Sequence, residues 1–182
     1  NMETPPFDYA QQKYPLAPAT FYRVGGPAHL ALLPRNPEEL IEGFLWMRRQ
    51  PEPKLILGRG SNVLISDRGF PGIVLFTSGL NTIEALGNGL YRVECGVNLD
   101  RLVREILVVN NYAGTGAFAG IPGSVGGAIY MNAGTVNGAT CQFLERVTVV
   151  GPTGPRTVTI DSSIYGYKIG RASCRERVFR TV

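Results

Sequence analysis

Leu55-Ile56-Leu57-Gly58-Arg59-Gly60-Ser61-Asn62-Val63-Leu64 passes from an apolar run straight into a glycine loop. Further along, Ala119-Gly120-Ile121-Pro122-Gly123-Ser124-Val125-Gly126-Gly127-Ala128 forms a second, which leads to Asn132-Ala133-Gly134. Glycine lacks the Cβ that would hold a ligand off and lets backbone N–H groups turn outward, so a Gly/Ser/Asn loop after a strand suits phosphate oxygens. Either loop alone reads as a tight turn between elements. Together, with Pro122 stiffening one and Asn62 and Asn132 able to hydrogen-bond a ligand, they read as a diphosphate gripped from both sides. Two common nucleotide motifs are excluded. Val63 stands where a dinucleotide-binding turn has its third glycine, and no Gly-Lys-Ser/Thr triplet occurs.

The flanking patterns mix helix and strand. Asn36-Pro37-Glu38-Glu39 reads as a helix start, with Asn as cap, Pro at the first helical position and acids in the first turn. Leu40, Ile41, Phe44 and Leu45 follow at helical spacing, and Pro51 stops the helix. Strands are expected at residues 54–57 and 73–76, giving a β-α-β unit. Leu86-Gly87-Asn88-Gly89-Leu90 reads as a hairpin turn into a strand at residues 91–95. Asn98 caps a second helix with Leu99, Leu102, Val103, Ile106 and Leu107 on one apolar stripe. Strands at residues 144–150 and 156–160 flank a Gly151-Pro152-Thr153-Gly154 turn. The expected fold is α+β in two lobes meeting near residue 80: a polar lead-in at residues 1–16, then lobes at 17–80 and 81–168.

With 182 residues, 44% of them hydrophobic, the chain has enough apolar surface to bury a core. Its formal charge of +4 would suggest a nucleic-acid partner, but Arg171, Arg175, Arg177 and Arg180 crowd into the last fourteen residues against Glu176 alone, which leaves the rest nearly neutral. No nucleic acid is therefore expected. Of the three cysteines, Cys95 and Cys141 lie far apart and Cys174 falls in that basic tail, so reduced thiols without a zinc site are expected. His29, the only histidine, has no Cys or His neighbour to complete a metal set, and no metal is expected. Neither a signal peptide nor a membrane-length apolar segment stands out, so the reading is a soluble cytoplasmic protein.

Three motifs in order, Thr20-Phe21-Tyr22-Arg23-Val24-Gly25-Gly26-Pro27-Ala28, residues 57–67 and residues 120–134, resemble the flavin-binding half of the UDP-N-acetylenolpyruvoylglucosamine reductases. The likeness runs from about Ala17 to Tyr167. It implies the two-lobed FAD-binding fold of the vanillyl-alcohol oxidase type, with Gly58, Arg59, Gly60, Ser61, Asn62, Gly120, Pro122, Gly123, Ser124, Gly126, Gly127, Asn132 and Gly134 holding FAD. The implied activity is that of UDP-N-acetylmuramate dehydrogenase. NADPH reduces the flavin, hydride then passes to the enolpyruvyl group of a UDP-sugar, and an enzyme acid supplies the proton, a step in peptidoglycan precursor synthesis.

The family's catalytic arginine follows the Gly-Tyr pair, so its position here is Lys168; lysine keeps the charge but loses the planar two-point grip on a carboxylate. The family's serine proton donor and glutamate belong to a substrate domain absent from this chain, so the fragment itself is expected to be inactive. From Ile169 onward the wording departs from the family and resembles the conceptual translation of a sequencing-library adapter. Residues 169–182 are accordingly set aside as a non-native tail packing against nothing essential, the alternative being an authentic basic tail. Two other readings stay open: another flavin oxidoreductase of the same fold, and a non-catalytic flavin-binding module. Oligomeric state is not legible.

Overall fold

Ala10–Pro15, read from its polarity as part of a lead-in, is strand β1. It pairs antiparallel with β2, Pro27–Leu32, in the register Ala10↔Leu32 to Pro15↔Pro27. The correction has a simple cause: β1 lies at a sheet edge, where Gln11, Gln12 and Lys13 face solvent and dilute the apolar signal. The computed structural model describes residues 4–160 and 178–181, and the fold divides into two units, Asn1–Leu80 and Asn81–Val182. Lys168 lies outside the described residues.

In the first unit β2 leads into α1, Pro37–Arg49, whose cap is the expected one: the Asn36 side chain accepts from the Glu39 amide at 2.9 Å. β3, Lys54–Leu57, and β4, Phe70–Phe76, complete a sheet of order β1-β2-β4-β3, in which β2, β4 and β3 are parallel. Central parallel strands are covered on both faces, which is why Ile73, Val74 and Leu75 are all fully buried rather than alternating. α1 contributes Leu40, Phe44, Trp46 and Met47 to the buried set. Tyr9, just ahead of β1, donates its hydroxyl to the Glu39 carbonyl at 3.0 Å and stacks on Phe7, so the start of the chain belongs to this core.

The second unit opens with a hairpin of β5, Ile83–Gly87, and β6, Leu90–Glu94. Its turn holds Asn88 and Gly89 at φ 53° and 76°, the pair of positive angles a two-residue hairpin demands. Asn98 then caps α2, Leu99–Leu102, by accepting from the Asp100 amide, and the chain continues as a π-helical turn over Val103–Leu107. The predicted stripe packs with Val93, Val97, Phe118, Val125 and Ala128. α3, Val125–Met131, falls inside what the sequence reads as loop. After β7, Gly134–Thr135, and β8, Gly138–Ala139, come β9, Arg146–Gly151, and β10, Gly154–Thr159.

β11, Val178–Thr181, lies between β9 and β6 in a sheet of order β10-β9-β11-β6-β5. Within the stretch 169–182, expected to pack against nothing essential, these four residues thus pair with two strands. Two strand edges with open main-chain groups reward any extended segment that pairs with both. Among the described residues no helix is long and apolar enough to cross a membrane, and no cluster of three or more His, Cys, Asp or Glu is placed to hold a metal.

Cys95 follows β6 and is buried; burial, reinforced by the Glu94 charge, pushes its thiol up to about 12. A raised folded-state pKa contributes stability that is complete below the ordinary thiol pKa and is lost as pH rises toward the folded value. Between about pH 8 and about pH 10 the protein should therefore lose about 1–2 kcal/mol more than Cys95→Ala does over the same interval. Urea unfolding at each pH measures the difference, and parallel pH curves for the two proteins would refute it.

Candidate functional site

The first loop leaves β3 at Leu57, whose carbonyl accepts from Thr77, and turns at Gly60 with φ 63°. Gly60 rests against another segment of main chain: a Cβ there would run into the Ala19 carbonyl oxygen and the Thr20 Cα. The approach is fastened by the Phe21 amide, which donates to the Gly60 carbonyl at 3.0 Å. Thr20 is buried, and its hydroxyl donates to the carbonyls of Ala17 or Val24, closing the turn beneath the loop. Among the described residues, the amides of Gly58, Arg59, Gly60 and Asn62 donate to no protein acceptor. A short run of open donors on a fixed backbone is what an anionic oxygen needs. Arg59 and Asn62 are exposed beside them, and Ser61 is half-buried.

The second loop is held differently. Asn98 and Ser124 form an isolated antiparallel bridge, with Leu99 donating to Gly123 at 3.1 Å and Val125 donating to Val97 at 2.9 Å. The Gly126 amide donates to the Cys95 carbonyl at 2.8 Å, and a Cβ on Gly126 would stand 2.9 Å from the Cys95 Cβ. The Ser124 hydroxyl accepts from Gly127, capping α3. The amides of Gly126 and Gly127, two of the residues expected to hold the cofactor, and that of Val125 are therefore already used within the protein. The amides of Gly120, Gly123 and Ser124 donate to no described acceptor, and Gly120, at φ 77°, has nothing within 4 Å of a built Cβ.

The structure brings Gly58, Arg59, Gly60, Ser61 and Asn62 together in the first unit. Gly120, Pro122, Gly123, Ser124, Gly126 and Gly127 come together in the second. Asn132 caps the C-terminus of α3 at φ 45°, buried, with its side-chain oxygen accepting from the Cys141 amide at 3.1 Å, and Gly134 opens β7. Residue-by-residue reading did not find the two supports: the 17–20 turn under Gly60, and Cys95 to Asn98 under α3. Asn98 was legible as a helix cap, but its pairing with Ser124 joins distant parts of the chain and leaves no local signal. Phe21 and Tyr22, an exposed edge-to-face pair with ring centroids 5.7 Å apart, protrude beside the first loop.

Residues 28–159 match the family described as FAD binding domain. The chain belongs to this FAD-binding family. Its FAD-binding fold, mixed in helix and strand, is the α+β class read from the sequence, and the relatives agree with the motif resemblance. A UDP-N-acetylenolpyruvoylglucosamine reductase of Legionella pneumophila (strain Corby) is 43% identical over 143 residues, 77% of this chain and 45% of the Legionella protein. The crystal structure of the same reductase (MurB) from Thermus caldophilus superposes with a TM-score of 0.71 at 29% identity, covering 100% of this chain and 60% of that one. A solvent-stable cholesterol oxidase, at 19% identity and a TM-score of 0.57 over 83% of this chain and 32% of its own, shares the fold. The chain spans about half the length of the curated relatives it matches.

The geometry separates two kinds of glycine in the two loops. Gly60→Ala should destabilise the protein by about 3 kcal/mol or more, because a left-handed backbone angle and a collision with main chain act together. Gly120→Ala, strained but in open space, should cost only about 1–2 kcal/mol. Chemical denaturation of both variants checks the order, and equal losses would contradict it.

Proposed function

We propose that this chain is the FAD-binding portion of a UDP-N-acetylmuramate dehydrogenase, the NADPH-dependent enzyme that reduces enolpyruvyl UDP-N-acetylglucosamine in cytoplasmic peptidoglycan precursor synthesis. The observation that supports it most is the run of open amides at Gly58, Arg59, Gly60 and Asn62 in a chain whose residues 28–159 match a FAD-binding family. Open donors of this kind, which the second unit also carries at Gly120, Gly123 and Ser124, suit phosphate oxygens such as those of FAD. Ser61, Pro122, Gly126, Gly127, Asn132 and Gly134 shape the two loops.

When bound, FAD supplies hydride-transfer chemistry. The work left to the protein is to orient the substrate, stabilise charge at its carboxylate end and hold a transferable proton. In this proposal Lys168 takes the position of the family's substrate-facing arginine, a cation without the arginine fork. The proton donor and most of the substrate-orienting surface belong to a separate domain carried by the longer relatives, in line with the half-length match.

Titration of the apoprotein with FAD should give a yellow, noncovalent complex. Gly123→Val should weaken that complex at least about tenfold, or about 1.4 kcal/mol, since a branched side chain resists the positive φ of 139° at this residue. Unchanged affinity in the folded variant would sink the FAD assignment. A second assay follows NADPH oxidation dependent on the enolpyruvyl UDP-sugar. The flavin-loaded chain should show no measurable turnover. A protein of the relatives' length, carrying this sequence through Tyr167 with arginine at 168, should turn over. Lost orientation is worth on the order of 7 kcal/mol and a lost general acid a further factor of about 100 to 10,000. Turnover by the chain alone would show that the catalytic residues are misplaced, and an inactive full-length protein with normal flavin content would favour another flavin oxidoreductase.

A further inference from the structure

Two hairpins make up most of the second sheet: β5 with β6, and β9 with β10. Each satisfies one edge of its inner strand, and the other edges of β6 and β9 face the same gap, one strand wide. With neighbouring strands about 4.8 Å apart, such a gap measures about 9.6 Å and presents donors and acceptors from both sides. Val178–Thr181 fills it antiparallel to both walls, pairing Val178, Phe179, Arg180 and Thr181 with Val150, Val149, Thr148 and Val147. On the other side Arg180 and Thr181 pair with Glu94 and Val93.

We propose that the facing edges of β6 and β9 form a strand-acceptor slot, which binds an extended segment through its main chain and which Val178–Thr181 occupies in this chain. The inference stands apart from the flavin reading. Its occupant comes from the stretch whose wording departs from the family, so no family-specific side chain is needed for entry. What every extended segment brings is N–H and C=O groups on both edges, and strand addition draws its affinity from those. The partner class is therefore an extended peptide of about four residues, antiparallel to both neighbours, with an amide available at the position opposite Glu94 and Thr148.

The test compares the full chain with Arg180→Pro and Arg180→Thr. Proline removes the main-chain donor at Arg180, which with Thr181 lies opposite both walls, whereas threonine keeps it and favours extended backbone. Amide hydrogen exchange in β6 and β9 should accelerate at least about tenfold in Arg180→Pro and stay within about twofold of the parent in Arg180→Thr. Amides of β2 and β4 serve as the folding control. Phe179→Pro, opposite Val149 of β9, should accelerate exchange in β9 more than in β6. Excess peptide with the sequence of residues 177–182 should restore protection to Arg180→Pro, and the same peptide N-methylated at its second arginine should not. Unchanged exchange in Arg180→Pro, an equal loss in Arg180→Thr, or rescue by the methylated peptide would each overturn the proposal.

Discussion

Main chain lying directly on main chain, at Gly60 and at Gly126, is the constraint on which both glycine loops depend. A loop whose own amides are left open has no ladder of its own to fix it, so its shape must come from what it leans on. Under the first loop that support is the 17–20 turn, tied by the Phe21 to Gly60 bond. Under the second it is the segment from Cys95 to Asn98, tied by Gly126, Val125 and Leu99. A side chain at either glycine would push its loop off its support and change where the open donors point. The ligand-facing geometry is therefore decided on the side of the loop away from the ligand.

This arrangement suits an anion bound without lysine. Arg59 is the only basic residue inside either loop, so the attraction rests on neutral dipoles. Dipoles act over short range and only when aimed, whereas a lysine ammonium acts as a flexible point charge. The second loop offers fewer donors than its wording suggests, because α3 and the Asn98 to Ser124 bridge consume three of them. Its contribution is correspondingly narrower: Gly120, Gly123 and Ser124, with Pro122 limiting how far they can stray.

Local punctuation explains what the sequence revealed of the fold. Asn36, Pro37 and Pro51 bracket α1 closely, and Asn88-Gly89 admits little except the hairpin turn between β5 and β6. The missed elements lack such marks. β1 is an edge strand with a run of polar residues, and α3 is short and carries Gly126 and Gly127, which disfavour helix. α3 forms because Ser124 caps it and because its backbone sits on Cys95 and Val97, contacts that no window of sequence contains. The same holds for the residues of the two glycine loops. Motif wording marked them out, but it did not distinguish Gly120, where an added Cβ meets open space, from Gly126, packed against Cys95, or show that the Ser124 hydroxyl serves as a cap.

The two units differ in how their sheets are completed. β1 to β4 come from residues 10–76, so the first loop is supported by contiguous chain. The second sheet takes its middle strand from Val178–Thr181, far along the chain from the strands on either side of it. β6 leads directly into Cys95, and Cys95 accepts the Gly126 amide. Pairing on the inner edge of β6 therefore steadies the platform on which the second loop stands. The segment that fills the slot acts on the second loop through β6 and also lies against α3 itself. A chain that supplies this strand from residues 178–181 makes the rigidity of the second glycine loop depend on that stretch, while the first loop leans on the 17–20 turn.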